Sequence, residues 1–454
     1  MKFHRVSLSQ AILAAMMMTT CGCGLSAQTA APQSVMSLDQ AIQYGLADSP
    51  QLRQAEADVQ RASAAMTGIR GTRLPQINAA EEVALSDDPV FAFGTKLRQG
   101  RFTNSDFDLH SLNEPRPISN FASSVDATWT AFDFGARENT VRSSRSAVEA
   151  SKLTRQFSEE EVANTITGLF YRVLLAEGQL AVAKTAVARA QEIDTDIKDR
   201  IHAGLSLEAD GLRSSALLRS AEDDLATTQS NVQLSRADFF NALGQPASSI
   251  PLIPPESKAS SPPGDPGQLI RRPDIQSLDW QRKSVQQKLD ATRLSALPRV
   301  EAYGHVEADN PHIFGGGGRD WTVGAKLELH IFDGGVRKAH QQEEEAELRR
   351  LSGQKEQALR DARSHLSSIQ AQLEDLRRRY ETLGQTIEAD GAALRASRDR
   401  YDAGLISISD VLNQEVELST AEYARIRAHY EICILTSDLR LADGTLTTTK
   451  AGHP

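Results

Sequence analysis

Histidine, cysteine and serine side chains are the groups in this sequence that could bind a metal ion or act as nucleophiles. His305, His312 and His330 lie in or beside two segments of alternating polarity, and they could meet if those segments pair. Positions on one polar strand face are the default interpretation for all three. No arrangement of serine, cysteine and histidine indicates a catalytic nucleophile. The sequence therefore predicts neither enzymatic activity nor a metal or cofactor site.

Three further features have structural explanations. The glycines of Gly315–Gly318 precede an alternating segment instead of a helix, which argues against a phosphate-binding loop. The acidic run EEEAE from Glu343 is typical of a solvated helix face. Cys433, in YEICIL, is the one cysteine outside the N-terminal segment, and its apolar neighbours predict a small buried residue.

A pair of aspartates lies in a phrase that occurs twice in the chain. RIHAGLSLEAD begins at Arg200 and RYDAGLISISD at Arg400, and each contains A-G-L followed by an acid, Asp210 or Asp410. The two phrases are 200 residues apart (410 − 210). Either acid could line a functional opening, and either could cap the helix that begins after the turn. The sequence leaves both interpretations open.

A second doubled phrase precedes each of these turns. FDFGAR begins at Phe132 and FDGGVR at Phe332, again 200 residues apart (332 − 132). Proline pairs further upstream have a spacing of 223 (298 − 75), so the first half carries 23 extra residues (223 − 200) in an enlarged loop. We therefore predict two structural repeats, 37–246 and 269–446, with a Pro/Gly-rich linker at 247–268 and a C-terminal tail at 447–454.

Each repeat contains a long run without proline, so nothing in either run obliges a helix to end. Apolar or small residues recur there at alternating steps of four and three. This heptad pattern predicts long antiparallel coiled-coil hairpins, with a first helix of roughly 65 residues and about 100 Å. The first series is Val162, Ile166, Leu169, Val173, Ala176, Leu180, Ala183, Val187, Ala190, Ile197 and Ile201, interrupted by Asp194. The second is Ala362, Leu366, Ile369, Leu373, Leu376, Tyr380, Leu383, Ile387, Leu394, Ser397 and Tyr401, interrupted by Asp390.

Two alternating segments of the second repeat predict β-strands. RVEAYGHVEADN, from Arg299, and DWTVGAKLELHIFDGG, from Asp320, place apolar or small residues on one face and polar residues on the other. Segments 76–86 and 123–134 occupy the equivalent places in the first repeat. The apolar face of the last segment is expected to comprise Trp321, Val323, Ala325, Leu327, Leu329 and Ile331.

The N-terminal segment has the order of a secretory leader, with Lys2 and Arg5 followed by an apolar stretch and then small residues. We predict a signal peptide over residues 1–27, with a lipid-modified Cys21 or Cys23 as the alternative. No later segment has enough consecutive apolar residues for a membrane helix. The net charge of −10 argues against nucleic acid as a partner.

Exported strands of about ten residues with one apolar face and one polar face fit a transmembrane barrel with a wet interior. A soluble sheet with one face on a core is the alternative. Four strands cannot close such a barrel, and sheet edges exposed to lipid lack hydrogen-bond partners, so several chains must associate. The predicted fold class is a mixed α/β membrane protein with long helical hairpins and four transmembrane strands per chain.

Taken together, these motifs make the sequence similar to the TolC-like family of outer-membrane efflux proteins. The resemblance extends from MSLDQAIQYGLADSPQL to LRLADGTL, and it rests on the doubled FDxG, the doubled RxxAGLxxxxD and the two-copy order of elements. It implies a homotrimer whose chains complete a twelve-stranded β-barrel, continued by a periplasmic α-helical barrel. It also implies docking to a periplasmic adaptor protein and an inner-membrane pump, in the outer membrane of a Gram-negative-type bacterium.

The resemblance also assigns residues to the inner end of the tunnel. An acidic residue six positions after the second glycine helps line the constricted entrance in the family, which implies Asp410 here. Asn413 and Ile406 stand where some relatives carry a second acid and a basic residue. The two turns match the tip motif of the family and imply adaptor contacts for Arg200, Ala203, Gly204, Leu205, Asp210, Arg400, Ala403, Gly404 and Leu405.

These features predict a passive exit duct that passes substrates from the periplasm or a pump to the outside. Three symmetry-related Asp410 carboxylates around a narrow axis would repel one another and favour opening. A periplasmic coiled-coil adaptor is the alternative, but an adaptor needs compact β-domains beside one hairpin, and this chain has two equivalent hairpins. An exported filamentous scaffold would leave the alternating strands unexplained.

Overall fold

The computed structural model describes residues 35–255, 266–313 and 315–446. Within these ranges the chain forms long helices and one small antiparallel sheet. The predicted signal peptide, the alternative lipidation sites Cys21 and Cys23 and the predicted C-terminal tail lie outside the described residues. So does part of the predicted linker, from 256 to 265.

The elements follow one another in the order helix, strand, strand and helix pair in each half. The helices are α1 (Leu38–Asp48), α2 (Pro50–Gly71), α3 (Pro89–Arg98), α4 (Leu109–Asn113), α5 (Ala136–His202), α6 (Glu208–Ala242), α7 (Pro273–Leu294), α8 (Val336–Asp402) and α9 (Ile408–Asp443). The strands are β1 (Gln76–Ser86), β2 (Ile118–Phe132), β3 (Arg299–Asn310) and β4 (Gly318–Glu328), and they pair antiparallel in that order.

The helices α5 and α8 each have 67 residues. At 1.5 Å per residue each is about 100 Å long. All positions of the two predicted heptad series are buried or partly buried, and Asp194 is buried as well. The predicted seam is therefore confirmed in both helices. After a short turn, α6 packs antiparallel along α5, and α9 packs along α8.

Three apolar clusters hold the long helices of the described chain together, and one of them packs α8 against α9 through residues such as Leu366 and Leu439. Another contains Phe170 of α5 with Phe239 and Phe240 of α6, and α1 packs closely against it. A Cβ atom on Gly45 would lie 2.1 Å from the Ile166 side chain, so α1 can approach α5 only because this position is glycine. The third cluster lies near the turns and joins α5 to α8 and α9 through residues such as Ile197.

Among the described helices, α5 alone is long and apolar enough to cross a membrane by length and composition. The sequence prediction that no segment after the leader is apolar enough for a membrane helix is therefore corrected for α5. About two fifths of its most apolar stretch is buried in the chain. Because α5 packs against α1, α2, α6, α7 and α9, its apolar residues have protein partners, as in a core helix.

The doubled FDxG phrase forms the joint between the sheet and the long helices. The Asp133 carboxylate accepts hydrogen bonds from the N–H groups of Gly135 (3.2 Å) and Arg137 (3.1 Å). Asp333 accepts the corresponding bonds from Gly335 (3.0 Å) and Arg337 (3.2 Å). Each aspartate thus satisfies N–H groups at the start of a long helix, which have no partner in the helix itself.

The arginine of the first phrase, Arg137, connects three elements. Arg137 pairs with Asp133 (Nε to Oδ2, 2.7 Å) and donates to the carbonyl of Thr72, at the end of α2, and to that of Thr130, in β2. Gly135 has a φ of +89°, which favours glycine, and the preceding residue, Phe134, also has a positive φ of +54°. In the second joint the equivalent residue is Gly334, whose φ is +66°. The first joint therefore carries backbone strain that the second avoids.

The sheet has one polar and one apolar face, as the alternation predicts. On the polar face Lys326 pairs with Glu301 (2.8 Å), and His305 contacts Asp126 (2.7 Å). The side chains on the other face are largely uncovered in the single chain. They include Ile77, Val83, Leu85, Val125, Trp129, Val306, Trp321, Val323 and Leu327.

Several boundaries differ from the sequence prediction. Strand β2 begins at Ile118, five residues before the predicted start at 123 (123 − 118). Strand β4 ends at Glu328, because its last partner is Arg299, the first residue of β3; Leu329 and Ile331 therefore lie outside the strand. Cys433 is only partly buried.

The predicted linker also differs from a simple tether. Leu252 is buried and forms a parallel bridge with Met36, ahead of α1. A 3-10 helix, Pro266–Arg271, begins inside the predicted boundary at 268. Both ends of the connection therefore pack onto the helices.

We expect Asp133→Ala to lower the free energy of unfolding by about 1 kcal/mol, because two helix-start N–H groups lose their acceptor. Partial burial disfavours the Asp133 carboxylate, but hydrogen bonds from Arg137 outweigh this effect and hold its pKa below 3.8. The full loss of unfolding free energy relative to the parent is expected above pH 3.8. The loss should shrink as the pH falls through the lower pKa of Asp133 in the folded protein. The measurement is thermal denaturation of the detergent-purified protein as a function of pH. Asp133→Asn, which keeps an acceptor, should lose less, and an alanine variant as stable as the parent would contradict the assignment.

Candidate functional site

The two A-G-L turns lie side by side at the end of the helical hairpins. In the first, Leu205 N–H donates to the Arg200 carbonyl (2.8 Å) and Gly204 N–H to that of Ile201 (3.0 Å). The second turn repeats this pattern, with bonds of 2.9 Å in both places. The central glycines, Gly204 and Gly404, both have a φ of +74°. This is a Schellman ending, which explains why each phrase requires glycine at its centre.

The turns expose apolar side chains at the tip of the molecule. Leu205 and Leu405 are 77% and 73% exposed, and Leu207 and Leu212 of the first turn are exposed to a similar degree. Nothing in the described chain covers these four side chains. The second turn has Ser407 in the place 200 residues after Leu207, and Leu412, 200 residues after Leu212, is buried, so the second turn exposes fewer apolar side chains.

Both predicted acids act as caps within the chain. Asp410 Oδ2 accepts from the Ser407 N–H (3.0 Å) and hydroxyl (2.8 Å). Asp210 Oδ2 accepts from the Leu207 N–H (3.4 Å) and the Ser206 hydroxyl (3.1 Å). Each acid therefore stabilises the first turn of a returning helix. Capping does not remove Asp410 from the surface, because the residue is exposed.

Asp410 and Asn413 lie on one exposed face of α9. They are three residues apart, which places them on adjacent turns of the helix. The opposite face of α9 carries Ile408, Val411 and Leu412, which pack into the apolar cluster near the turns. A single side of α9 near its start is thus left for solvent or for another chain.

The two arginines that begin the phrases have different surroundings. Arg200 lies over the Tyr401 ring (5.2 Å to its centroid) and pairs with Asp402, both beside the second turn. The Tyr401 hydroxyl also lies 3.0 Å from the Ser206 hydroxyl. These contacts hold the first turn against the second. Arg400 is exposed, and its carbonyl accepts the turn hydrogen bond.

A partly buried ion-pair cluster that the sequence did not predict joins α5 to α9 above the turns. Arg189 contacts the carboxylates of Glu415 and Glu422 (2.9 Å to Glu422), and it donates to the Ser419 hydroxyl (3.0 Å). Burial disfavours the charged guanidinium, but the hydrogen bonds to the two glutamates outweigh it and raise the pKa of Arg189. The sequence offered one signal of this cluster, because the spacing of Glu415, Ser419 and Glu422 places three polar residues on one face of α9.

Asp194, the interruption in the first heptad series, has a structural explanation. Its carboxylate accepts from Ser214 (2.8 Å) and Ser215 (2.9 Å) of α6 and pairs with Lys198 (2.6 Å). Partial burial disfavours the carboxylate, yet these bonds hold its pKa below the usual range. This buried acid in the seam thus accepts three hydrogen bonds, and the two from α6 fix α6 against α5.

The histidines do not converge. His305 lies on the polar face of the sheet between Asp126 (2.7 Å) and Glu307 (3.0 Å), and His330 lies beside Glu328 (3.7 Å). In residues 35–255, 266–313 and 315–446 no group of three or more His, Cys, Asp or Glu side chains is placed to hold a metal ion.

Comparison with known proteins identifies the family. The model of the outer membrane efflux protein family matches residues 41–245 and 268–445. The chain is 24% identical over 378 residues to the outer membrane protein OprJ of Pseudomonas aeruginosa, covering 80% of this chain and 74% of that protein. It is 24% identical over 421 residues to the outer membrane protein TolC of Vibrio cholerae, covering 88% and 89%.

The fold agrees with solved structures of such proteins. The crystal structure of the outer membrane protein VceC from Vibrio cholerae superposes with a TM-score of 0.77 at 20% identity, over 90% of this chain and 96% of that one. The family comprises outer-membrane efflux proteins and is not an enzyme family. The chain therefore belongs to the outer membrane efflux protein family and is an outer-membrane protein.

Proposed function

We propose that three copies of the chain form an exit duct through the outer membrane, in which each contributes four strands to a twelve-stranded barrel and its long helices to a periplasmic tunnel. One observation carries this proposal: the sheet ends at β1 and β4 without a further strand in the described chain, and its apolar face is uncovered. Backbone groups on a free edge have no partner in lipid, so the edges must meet those of other copies.

The barrel interior would be the polar face, with the ion pairs of Glu301, Lys326, Arg299 and Glu328 in water. Trp321 and Val323, each 74% exposed in the single chain, would face the lipid. A twelve-stranded barrel is wide enough for a water-filled lumen, whereas an eight-stranded one is filled by side chains. The passage would then be a shaped opening without a chemical step.

We further propose that the chain consists of two structural repeats, 37–246 and 269–446, joined by the linker 247–268. The equal lengths of α5 and α8, and the matched joints and turns, support this division. The exposed leucines at the turns would contact a periplasmic adaptor, which in turn connects the duct to an inner-membrane pump. The family match argues against the adaptor and scaffold alternatives.

At the inner end, the proposed entrance is lined by Asp410 and Asn413, which share the exposed face of α9. Arg200 would remain on the outer side, where it holds the two turns together. Three Asp410 carboxylates near one axis would repel one another and attract cations. The Arg189 cluster would oppose the separation of α5 and α9 a few turns above the entrance.

The lipid-facing side of β4 can be tested with two neighbouring substitutions. We expect Val323→Arg to reduce the amount of folded trimer in outer-membrane fractions strongly, because an arginine facing lipid at mid-depth costs about 2–4 kcal/mol. Thr322→Arg, one residue away on the polar face, is the matched control and should assemble. The protein is purified from equal amounts of the outer-membrane fractions, and light scattering then gives its yield as trimer. Equal assembly of both variants, or a monomer in the parent, would contradict the barrel.

The entrance can be tested by ion selectivity. Asp410→Asn should reduce the preference of the reconstituted channel for cations, because three charges leave the narrowest part of the tunnel. Asp210→Asn, the equivalent change in the first half, should leave the selectivity unchanged. The reversal potential in a salt gradient across a planar bilayer is the measurement. The same shift in both variants would remove Asp410 from the entrance.

The turns can be tested at their glycines. Gly404→Leu should impair export in the native bacterium while trimers persist, because a left-handed residue with a side chain costs about 1–2 kcal/mol and distorts the adaptor surface. Gly404→Asn, which tolerates that conformation, should retain more export. The measurement is extrusion of a fluorescent dye, with trimer assembly determined in parallel. Normal extrusion by the leucine variant would exclude the turn from adaptor contact.

A further inference from the structure

The enlarged loop between β1 and β2 folds back over the sheet. Helix α3, within this loop, contacts β2, β3 and β4, and its residues Ala92 and Thr95 are buried, as is Gln99 directly after it. The chain enters β1 and β3 from α2 and α7 and leaves β2 and β4 towards α5 and α8. The β1–β2 loop therefore lies at the end of the sheet opposite the long helices.

The contacts of α3 place it on the polar face. Arg98 Nη1 donates to Glu307 Oε1 (3.0 Å) and lies 3.9 Å from Asp309. Gln99 Nε2 donates to Asn120 Oδ1 (2.8 Å), and the Asn120 amide donates to Asp309. Glu307 and Asp309 alternate along β3 with apolar residues and share their face with the charged pairs of the sheet. Helix α3 thus covers the face that would line the barrel.

The loop is a compact unit that fits closely against the sheet. Phe102 packs edge-on against Phe93 (4.8 Å between centroids) and Phe107 (5.2 Å). The hydrogen bond from Lys96 (2.8 Å) and those from Thr103 lower the pKa of Asp106 to about 2, and the bond from Lys96 ties α3 to the part of the loop that follows it. A Cβ atom on Gly318, at the start of β4, would lie 1.9 Å from the Arg98 carbonyl oxygen.

We propose that α3 is an inward-folded constriction at the outer mouth of the duct and sets the size of the molecules that can pass there. The proposal rests on the trimeric barrel proposed above, in which three copies of α3 would surround the axis. The side of α3 away from the sheet carries Val90, Phe93 and Leu97, which are 81%, 37% and 50% exposed. Their steps of three and four put them on one face, so the narrowest ring would be apolar. An apolar ring admits small or amphipathic solutes and resists passage of bulky hydrated ones.

The experiment measures access to the lumen from outside intact cells. A cysteine replaces Thr128, on the polar face of β2 well below α3, in a Cys433→Ser background, and the parent without Thr128→Cys gives the background signal. Cells are exposed to a small maleimide and to maleimide-polyethylene glycol reagents of increasing size. We expect the small reagent to modify Thr128→Cys and the larger ones to be excluded.

Two changes should release the constriction. Arg98→Glu places like charges against Glu307 and Asp309 and should raise the rate of modification by a large reagent on the order of tenfold. Adding Glu307→Arg should restore the parent rate. When a short Gly/Ser linker replaces residues 89–113, the large reagent should modify Thr128→Cys at least as fast as it does in the Arg98→Glu variant. If the large reagent modifies the linker variant no faster than the parent, α3 is not the constriction.

A control cysteine separates this inference from the barrel itself. Val125→Cys lies three residues from Thr128 on the apolar face, and we expect the small reagent not to reach it because lipid covers it. If Val125→Cys and Thr128→Cys react equally in the parent, the barrel is wrong, whatever α3 does. If only Thr128→Cys reacts and removal of α3 leaves the size limit unchanged, the barrel stands and the constriction is wrong.

Discussion

Backbone hydrogen bonding at the edges of a sheet is the constraint on which the rest of this molecule depends. The described chain has four strands, and the outward groups of β1 and β4 have no strand beside them. In water such an edge can be solvated, but in lipid each unpaired group costs several kcal/mol. The chain belongs to a family of outer-membrane proteins. In the proposed duct, the edges of its sheet would be completed by the sheets of other copies. The strand order, the two faces and the closely matched halves are all consistent with that requirement.

Much of the fold could be predicted because its signals are local and repeated. A heptad series of more than five heptads specifies a long seam, and the FDxG phrase specifies a joint through one aspartate and one left-handed glycine. The alternating segments predicted β1 and β3 at the residues where they occur. The turns were predicted for the same reason, since A-G-L after a long helix is a Schellman ending with glycine at its centre.

Contacts between distant residues could not be predicted in this way. Arg189 meets Glu415 and Glu422 only because α5 and α9 lie side by side, and a single arginine in a helix has no period that marks its partner. The same limit applies to the end of α3, where Arg98 and the following Gln99 bond with strands that come before and after the long helix pair. The roles of Asp210 and Asp410 show a further limit. Their capping bonds are visible in one chain, whereas the entrance that Asp410 is proposed to line requires three.

The unbroken length of α5 has a mechanical consequence. A straight rod of about 100 Å converts a tilt of one degree at its upper end into a displacement of about 1.7 Å at its lower end. The bonds of Asp133 and Arg137 fix that upper end relative to the strand above it. A small change of angle at the joint is thus amplified at the tip, and in the proposed duct the width of the entrance would depend on the hydrogen bonds of Asp133 and Arg137.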